Sequence, residues 1–363
     1  MKAHMVKRSE ATARDLVGMT LTRDVRGPSG ERAFGKGHVV SESDAPALLA
    51  LDWDRLNVVE REPGEIQEDE AGQRLANAAA GVGAPSEGDR SRGATVGGVS
   101  GGHWPITATR RGLLRVDVER LERVNRIEGI CIYTLYDGQI VDALETVARA
   151  KITPFVIDAR NVEEAERIAL EAGGLVRVVE FRPVTVAAVV QETLGERALG
   201  RFRDALAEKM TWFGARLMEP AFVESSDTAL ADEVERSVRG GADVVIIAGA
   251  KAMDPLDPAF GALERLGVRV ERFGIPAHPG SLFWIARLGN VPVLGMPSCG
   301  LFSRATSFDL VLPRVLAGEH VGPAELAELG HGGLITKDTA FRFPRYREAT
   351  ARGEMEARQN DNS

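Results

Sequence analysis

The residues best placed to do chemistry lie in two short turns, each closing a run of apolar residues. Asp243-Val244-Val245-Ile246-Ile247-Ala248 leads into Gly249-Ala250-Lys251-Ala252-Met253-Asp254-Pro255-Leu256-Asp257. Val291-Pro292-Val293-Leu294-Gly295-Met296 leads into Pro297-Ser298-Cys299-Gly300. Continuous apolar runs bounded by Gly or Pro predict buried parallel strands. Turns at the carboxyl ends of such strands expose backbone N–H groups beside helix N-termini, so both turns predict a place for an anionic ligand. After the second turn, Ser303, Arg304 and Thr306 fall early in a helix expected to begin at Leu301, and Arg304 could pair with a phosphate. Asp254 and Asp257 each precede a proline and are also the residue type that caps turns. A third candidate is Pro276-Ala277-His278-Pro279-Gly280-Ser281. His278 could serve as acid, base or ligand near neutral pH, although a His beside Pro is more often a plain loop residue. No second His or Cys stands at metal-ligand spacing from it, so zinc is not indicated. Cys299 has no His or Asp partner by spacing and reads as a small buried residue rather than a nucleophile.

The elements that must position these turns are legible in outline. From about 183 to 320 strands and helices alternate, which predicts a three-layer α/β/α domain. A strand is expected at 184–190. Leu199, Phe202, Leu206 and Met210 recur every three or four residues over 196–212, one face of an amphipathic helix. Ser225-Ser226-Asp227 offers caps for a helix carrying Leu230, Val234 and Val238. Further helices are expected over 259–266 and 301–312, the last ending before Pro313, and a strand over 268–273. The preceding region reads as smaller mixed α+β domains: 14–80, with helices near Leu48 and over 65–80, and a β-rich stretch over 103–182. Within the latter, strands are expected at 113–116, 129–135 and 176–181, with helices at 118–125 and 163–171. Val141–Ala150 is helical by propensity. Residues 81–102 are Gly/Ser-rich and predict a flexible linker or loop. Residues 1–13 and 321–363 read as tails.

Bulk properties narrow the function classes. At 363 residues the chain has room for two to three domains, and 44% hydrophobic residues suffice for a sizeable core. The formal net charge of −8 and the lack of a basic cluster argue against nucleic acid as a partner. No apolar stretch approaches membrane-spanning length, and the first 15 residues lack a signal-peptide core. Two cysteines fit a reducing cytoplasm better than a disulfide framework. No G-x-G-x-x-G or P-loop spacing follows any expected strand, which weakens an unrelated nucleotide-binding reading.

Several motifs together resemble the MoeA/MogA/gephyrin molybdopterin-binding family. They are Val291–Cys299, Phe308-Asp309-Leu310-Val311-Leu312-Pro313-Arg314 and Leu329-Gly330-His331-Gly332-Gly333 near the C-terminus. Lys36-Gly37-His38-Val39-Val40, Gly64–Ala71, Arg111–Val116 and Lys151–Asp158 add to them, so the resemblance spans roughly residues 14 to 340. It implies a MogA-like α/β/α molybdopterin-binding domain and makes 141–150 partly extended. It also implies molybdopterin or its adenylylated form as ligand or substrate, molybdate and a divalent cation such as magnesium as co-reactants, and a homodimer. By motif position, Asp257 and Asp254 would be catalytic and Asp257 would help hold the metal. Thr193, Gly249, Ala250, Lys251, Pro279, Gly280, Ser281, Pro297, Ser298, Cys299 and Gly300 would line the cofactor.

The chain departs from the family where the chemistry is done. Glu192 stands where a Gly is expected and Leu194 where an acid is expected. Ala250 replaces a second Gly, Ala252 removes a Ser hydroxyl, Pro255 falls in the same loop, and Ser281 and Ser298 replace a Lys and a Gly. Lys251 could supply charge in place of lost donors. Two functions follow: a molybdotransferase inserting molybdate into adenylylated molybdopterin, or a non-catalytic carrier or regulatory protein for the cofactor or another phosphorylated ligand.

Overall fold

The computed structural model describes residues 1–83, 92–100, 102–191, 196–297, 305–344 and 346. The chain divides into two compact units: Met1–Arg110 with Leu114–Asp137 and Val141–Val178, and Arg111–Leu113 with Gly138–Ile140 and Val179–Ser363. No helix among the described residues is long and apolar enough to cross a membrane.

The first unit has two cores. Around one, the strands Lys2–Lys7, Arg55–Glu60 and Thr20–Leu21 form an antiparallel sheet with the helices Ala13–Leu16 and Asp44–Ala50. Leu16, Leu48, Leu56 and Val58 are its buried centre. Residues 2–7, expected within a loose tail, are therefore an edge strand. Lys2–Lys7 is almost wholly exposed, so its pairing rests on backbone hydrogen bonds, and hydrophobic patterning carries no sign of it. Around the second core, helices Glu68–Ala80 and Ala159–Leu170 pack with a four-stranded sheet of Ile130–Thr134, Thr146–Ile152, Trp104–Ala108 and Ala94–Val96. The helix expected over 65–80 starts at Glu68, because Glu65–Gln67 pairs as a strand with Val156–Asp158. The 141–150 stretch is extended, as strands Ile140–Val141 and Thr146–Ile152, with no helix. Of the Gly-rich segment 81–102, Gly81 ends the Glu68–Ala80 helix in a left-handed conformation and residues 94–96 are paired in the sheet. Residues 84–91 and 101 lie outside the described residues.

The second unit is built on a seven-stranded sheet. In chain order its elements are β1 (Thr185–Val190), α1 (Glu196–Phe213), β2 (Arg216–Leu217), β3 (Ala221–Phe222), α2 (Asp227–Arg239), β4 (Val244–Ala250), α3 (Pro258–Arg265), β5 (Val270–Phe273), β6 (Trp284–Leu288), β7 (Val291–Pro297) and α4 (Ser307–Leu316). The strand order is β2-β1-β4-β7-β6-β5, with β3 also on β1. The centre is parallel: Val186 pairs with Val244, and Val245 with Val293. Strand alternation divides the core in two. Val186, Ala188 and Val190 pack with Phe202, Leu206 and Met210 of α1 and with Phe308, Val311 and Leu312 of α4. Ala187 and Val189 pack with Leu230 and Val234 of α2 and with Ala259, Ala262 and Leu263 of α3. The side chain of Leu199 lies outside the described residues.

Three features differ from the expected alternation. β6 is an additional strand, antiparallel to both β5 and β7. Gly289-Asn290 joins β6 to β7, with Gly289 at φ +60°, the two-residue Gly-Asn connection that favours a hairpin. The described part of α4 begins at Ser307, where Thr306 and Asp309 form a capping box, and it continues through Pro313 to Leu316. Leu312, Pro313, Val315 and Leu316 are buried, and that packing holds the helix past a residue that removes one N–H donor. Within 321–363, expected as a tail, Pro323–Ala327 is helical, and Leu326 and Tyr346 are buried.

Candidate functional site

The carboxyl ends of β1, β4 and β7 lie side by side at the centre of the sheet, where an open α/β sheet presents its crevice. β4 ends in an irregularity: the pairing with β7 shifts register between Ala248 and Ala250, and Gly249 takes φ +87°. A side chain there is strained, so this glycine is required by the backbone whatever binds nearby. Ala250 stands opposite Pro297, which brings together two residues expected to line the cofactor. Ala250 and Ala252 are both buried and pack into the α2/α3 core, where a methyl group fills space that a hydroxyl would have to pair in.

Asp257 organises the loop that follows. It is 4% exposed and is the N-cap of α3, accepting from the Ala259 N–H at 2.9 Å. Its other oxygen accepts from the Lys251 N–H at 2.7 Å. Gln191, 5% exposed and immediately after β1, donates its Nε2 to both oxygens at 2.9 and 3.2 Å. The Gln191 N–H also donates to the Ala248 carbonyl, so the side chain and backbone of one residue tie β1 to β4 and its loop. Gln191 Oε1 is buried with no hydrogen-bond partner among the described residues. Asp254 is exposed and turns the loop, accepting from the Leu256 N–H through its side chain and from the Asp257 N–H through its carbonyl. The Lys251 side chain is exposed, while Met253 and Leu256 are 80% and 88% exposed on the same loop.

The Pro279-Gly280 loop is held against the start of α4. The Ser307 N–H donates to the Pro279 carbonyl at 2.8 Å and Ser307 Oγ to the Gly280 carbonyl at 2.6 Å. A Cβ on Gly280, whose φ is +104°, would come within 2.2 Å of Ser307 Oγ. Thus Pro279-Gly280 seats the start of α4. His278 and Ser281 are exposed, and the His278 backbone bonds to Gly333 and Ile335. Gly333 lies so close to Pro276 O, 2.4 Å from an ideal Cβ, that the Gly-Gly of the 329–333 motif serves chain packing.

At α4 the first amide donors are already used. The Ser307 N–H goes to Pro279 and the Phe308 N–H to Thr306 Oγ1, while the Thr306 N–H goes to Asp309 Oδ2. Asp309, 2% exposed, also accepts from Lys209 Nζ of α1 at 2.6 Å and from the Tyr346 hydroxyl at 3.3 Å. Burial, with the Asp309 carboxylate beside it, pushes the Tyr346 hydroxyl well above its ordinary pKa. Thr193, Ser298, Cys299, Gly300, Ser303 and Arg304, together with the Pro297 side chain, lie outside the described residues.

Magnesium can be tested against the carboxylates present. Among the described residues no group of three or more His, Cys, Asp or Glu side chains converges, and magnesium beside a phosphorylated ligand would need only one or two carboxylates. Both Asp257 oxygens are engaged by N–H donors. The described residues do not fit a cation held by Asp257. From the turn Val189-Val190-Gln191-Glu192-Thr193 the sequence singled out Thr193, and Gln191 read as an ordinary strand-to-helix turn residue. Its one available signal was a polar residue directly continuing a wholly buried strand.

No protein-family model matches the chain, and no curated protein matches it. Among solved structures, it is similar to the molybdopterin biosynthesis MoeA protein from Pyrococcus horikosii, at 14% identity over 87% of this chain and 75% of that one, with TM-score 0.28. It is also similar to a molybdenum cofactor biosynthesis protein, described as putative, from Corynebacterium diphtheriae, at 13% identity over 36% and 93% of the two chains, with TM-score 0.26. A MogA structure is 15% identical over 36% and 92%, with TM-score 0.24.

Proposed function

We propose that this chain is a molybdopterin-binding protein of molybdenum-cofactor metabolism that holds its phosphorylated ligand without transforming it. The reading takes residues 183–320 as a three-layer MogA-type domain, and the two cores on alternate strand residues support that. The ligand lies at the turns after β1, β4 and β7, and the motif resemblance supplies its chemical class. Lys251 offers the ligand an exposed ammonium, held in place through its backbone N–H on Asp257. One observation carries the non-catalytic reading: both oxygens of Asp257, the residue expected to place metal and oxyanion, are spent on protein donors. A carboxylate used as a cap and loop clamp is not free to coordinate a cation or move a proton. Ala252 supports the same reading, since losing a donor aimed at developing charge costs about 10²–10³ in rate. A homodimer and delivery of the cofactor to acceptor enzymes belong to this proposal.

The test combines molybdopterin titration with complementation of a molybdotransferase-null strain. Binding without complementation is expected. Lys251→Ala should weaken binding by about 3- to 10-fold and flatten its salt dependence, as removal of one exposed charge does, with stability within about 0.5 kcal/mol of wild type. Full complementation by the native chain would overturn the non-catalytic reading, and absence of binding would overturn the ligand class.

A further inference from the structure

The inference rests on the proposed ligand site and concerns the part of the ligand remote from its phosphate. Gln191 is the buried residue at the mouth of β1 whose carboxamide is only half used. A carboxylate can only accept, so the contact with Asp257 fixes the amide with Nε2 towards Asp257 and Oε1 turned away. Oε1 is therefore a fixed acceptor, buried and without a partner among the described residues. Leaving such an atom unmatched costs stability, and unmatched buried atoms of this kind call for an explanation. Neither of its neighbours supplies a reason for it to be there. Asp257 already has the Ala259 and Lys251 N–H donors, and the strand link to Ala248 is made by the Gln191 backbone.

We propose that Gln191 is a specificity-determining residue whose Oε1 accepts a hydrogen bond from an N–H of a heterocyclic ligand, an amino or lactam group of a pterin or a purine. Asp257 is the positioning residue that sets the direction of that acceptor. Discrimination then follows from polarity: a ligand with an N–H satisfies the buried oxygen, whereas one bearing only phosphate leaves it unmatched.

The experiment measures equilibrium binding of neopterin monophosphate, adenosine monophosphate, glycerol 3-phosphate and inorganic phosphate to the full chain. The wild type is expected to prefer one of the two heterocyclic phosphates over glycerol 3-phosphate, and which one it prefers separates pterin from purine. Gln191→Met, similar in length and lacking the carboxamide, should lower that affinity roughly 10- to 100-fold, the range that loss of one buried hydrogen bond converts to. Its affinity for glycerol 3-phosphate should stay within about twofold. Gln191→Glu covers the case in which the Met variant unfolds. Protonated in acid, it donates to Asp257 and keeps its carbonyl oxygen, so the preference should persist there. An equal loss for all ligands, or an unchanged preference in the Met variant, overturns the Gln191 assignment alone. If none of the phosphorylated probes binds the wild type, the anion-site reading falls and the Gln191 assignment falls with it.

Discussion

Asp257 and Asp254 are three residues apart in one loop, yet their surroundings give them different work. Asp257 is buried, caps a helix and holds two further donors from separate parts of the chain. Asp254 is exposed and braces a single turn. Replacing Asp257 by Ala removes a cap worth about 1 kcal/mol and strands buried donors worth about 1–3 kcal/mol. The expected loss is about 2–4 kcal/mol in a urea titration. Asp254→Ala should cost less than about 1 kcal/mol. Equal effects would show that Asp257 is not the clamp of this loop. The family resemblance implied a catalytic task for both carboxylates, and burial gives them different surroundings.

α1 and α4 lie over the same strand residues and are joined by a buried ion pair. The Lys209 ammonium lies 2.6 Å from Asp309 Oδ1, with side-chain exposures of 10% and 1%. It offsets a carboxylate that would otherwise stand buried and uncompensated at the helix start. Lys209→Met keeps most of the apolar stem and removes the charge. It should destabilise the protein by about 3–5 kcal/mol, the usual cost of breaking such a pair from one side. Adding Asp309→Asn should recover part of that loss, because the unpaired charge is gone. A Lys209→Met protein as stable as wild type would mean that Thr306 and Tyr346 alone satisfy Asp309. The cap of α4 was legible in Thr306-Ser307-Phe308-Asp309, a capping-box spacing, whereas the helix was expected from Leu301, directly after the Pro297–Gly300 turn.

At the scale of the molecule, the second unit is not a contiguous stretch of sequence. It includes residues 111–113 and 138–140, and Leu113 and Ile140 are buried in the core that α1 and α4 cover. Arg111 donates to the Trp212 carbonyl and lies over the Trp212 ring, 4.3 Å from its centroid. A fragment beginning at Val179 would carry every strand of the seven-stranded sheet and lack these three residues. Removing two buried aliphatic side chains costs several kcal/mol, at about 2–5 kcal/mol each. The fragment should therefore unfold at markedly lower urea concentration than the same unit in the full chain, followed by tryptophan fluorescence. An unchanged midpoint would show that residues 111–113 and 138–140 are dispensable to it. A boundary drawn from the linear pattern at 183 misses this, because patterning reports neighbours along the chain.

Elements whose signal is local and strong were readable from the residues alone. The apolar runs of β1, β4 and β7, the amphipathic face of α1, and the Ser226 cap of α2 need no partner to be recognised. The sequence also placed the loop after β4 at the carboxyl end of a parallel strand, since strands that alternate with helices run parallel. What the polar residues of the loop after β4 do depends on partners brought in by folding. Asp257 meets Gln191 across 66 positions and Lys209 meets Asp309 across 100. Hydrogen-bond partners so distant leave no periodic trace in the chain. Pro279-Gly280, expected to face a cofactor, is set against Ser307 for the same reason. Edge strand Lys2–Lys7 was hidden because its pairing uses backbone groups that every residue has. Local patterning therefore placed the scaffold, and burial with distant pairing assigned the roles of the side chains on it.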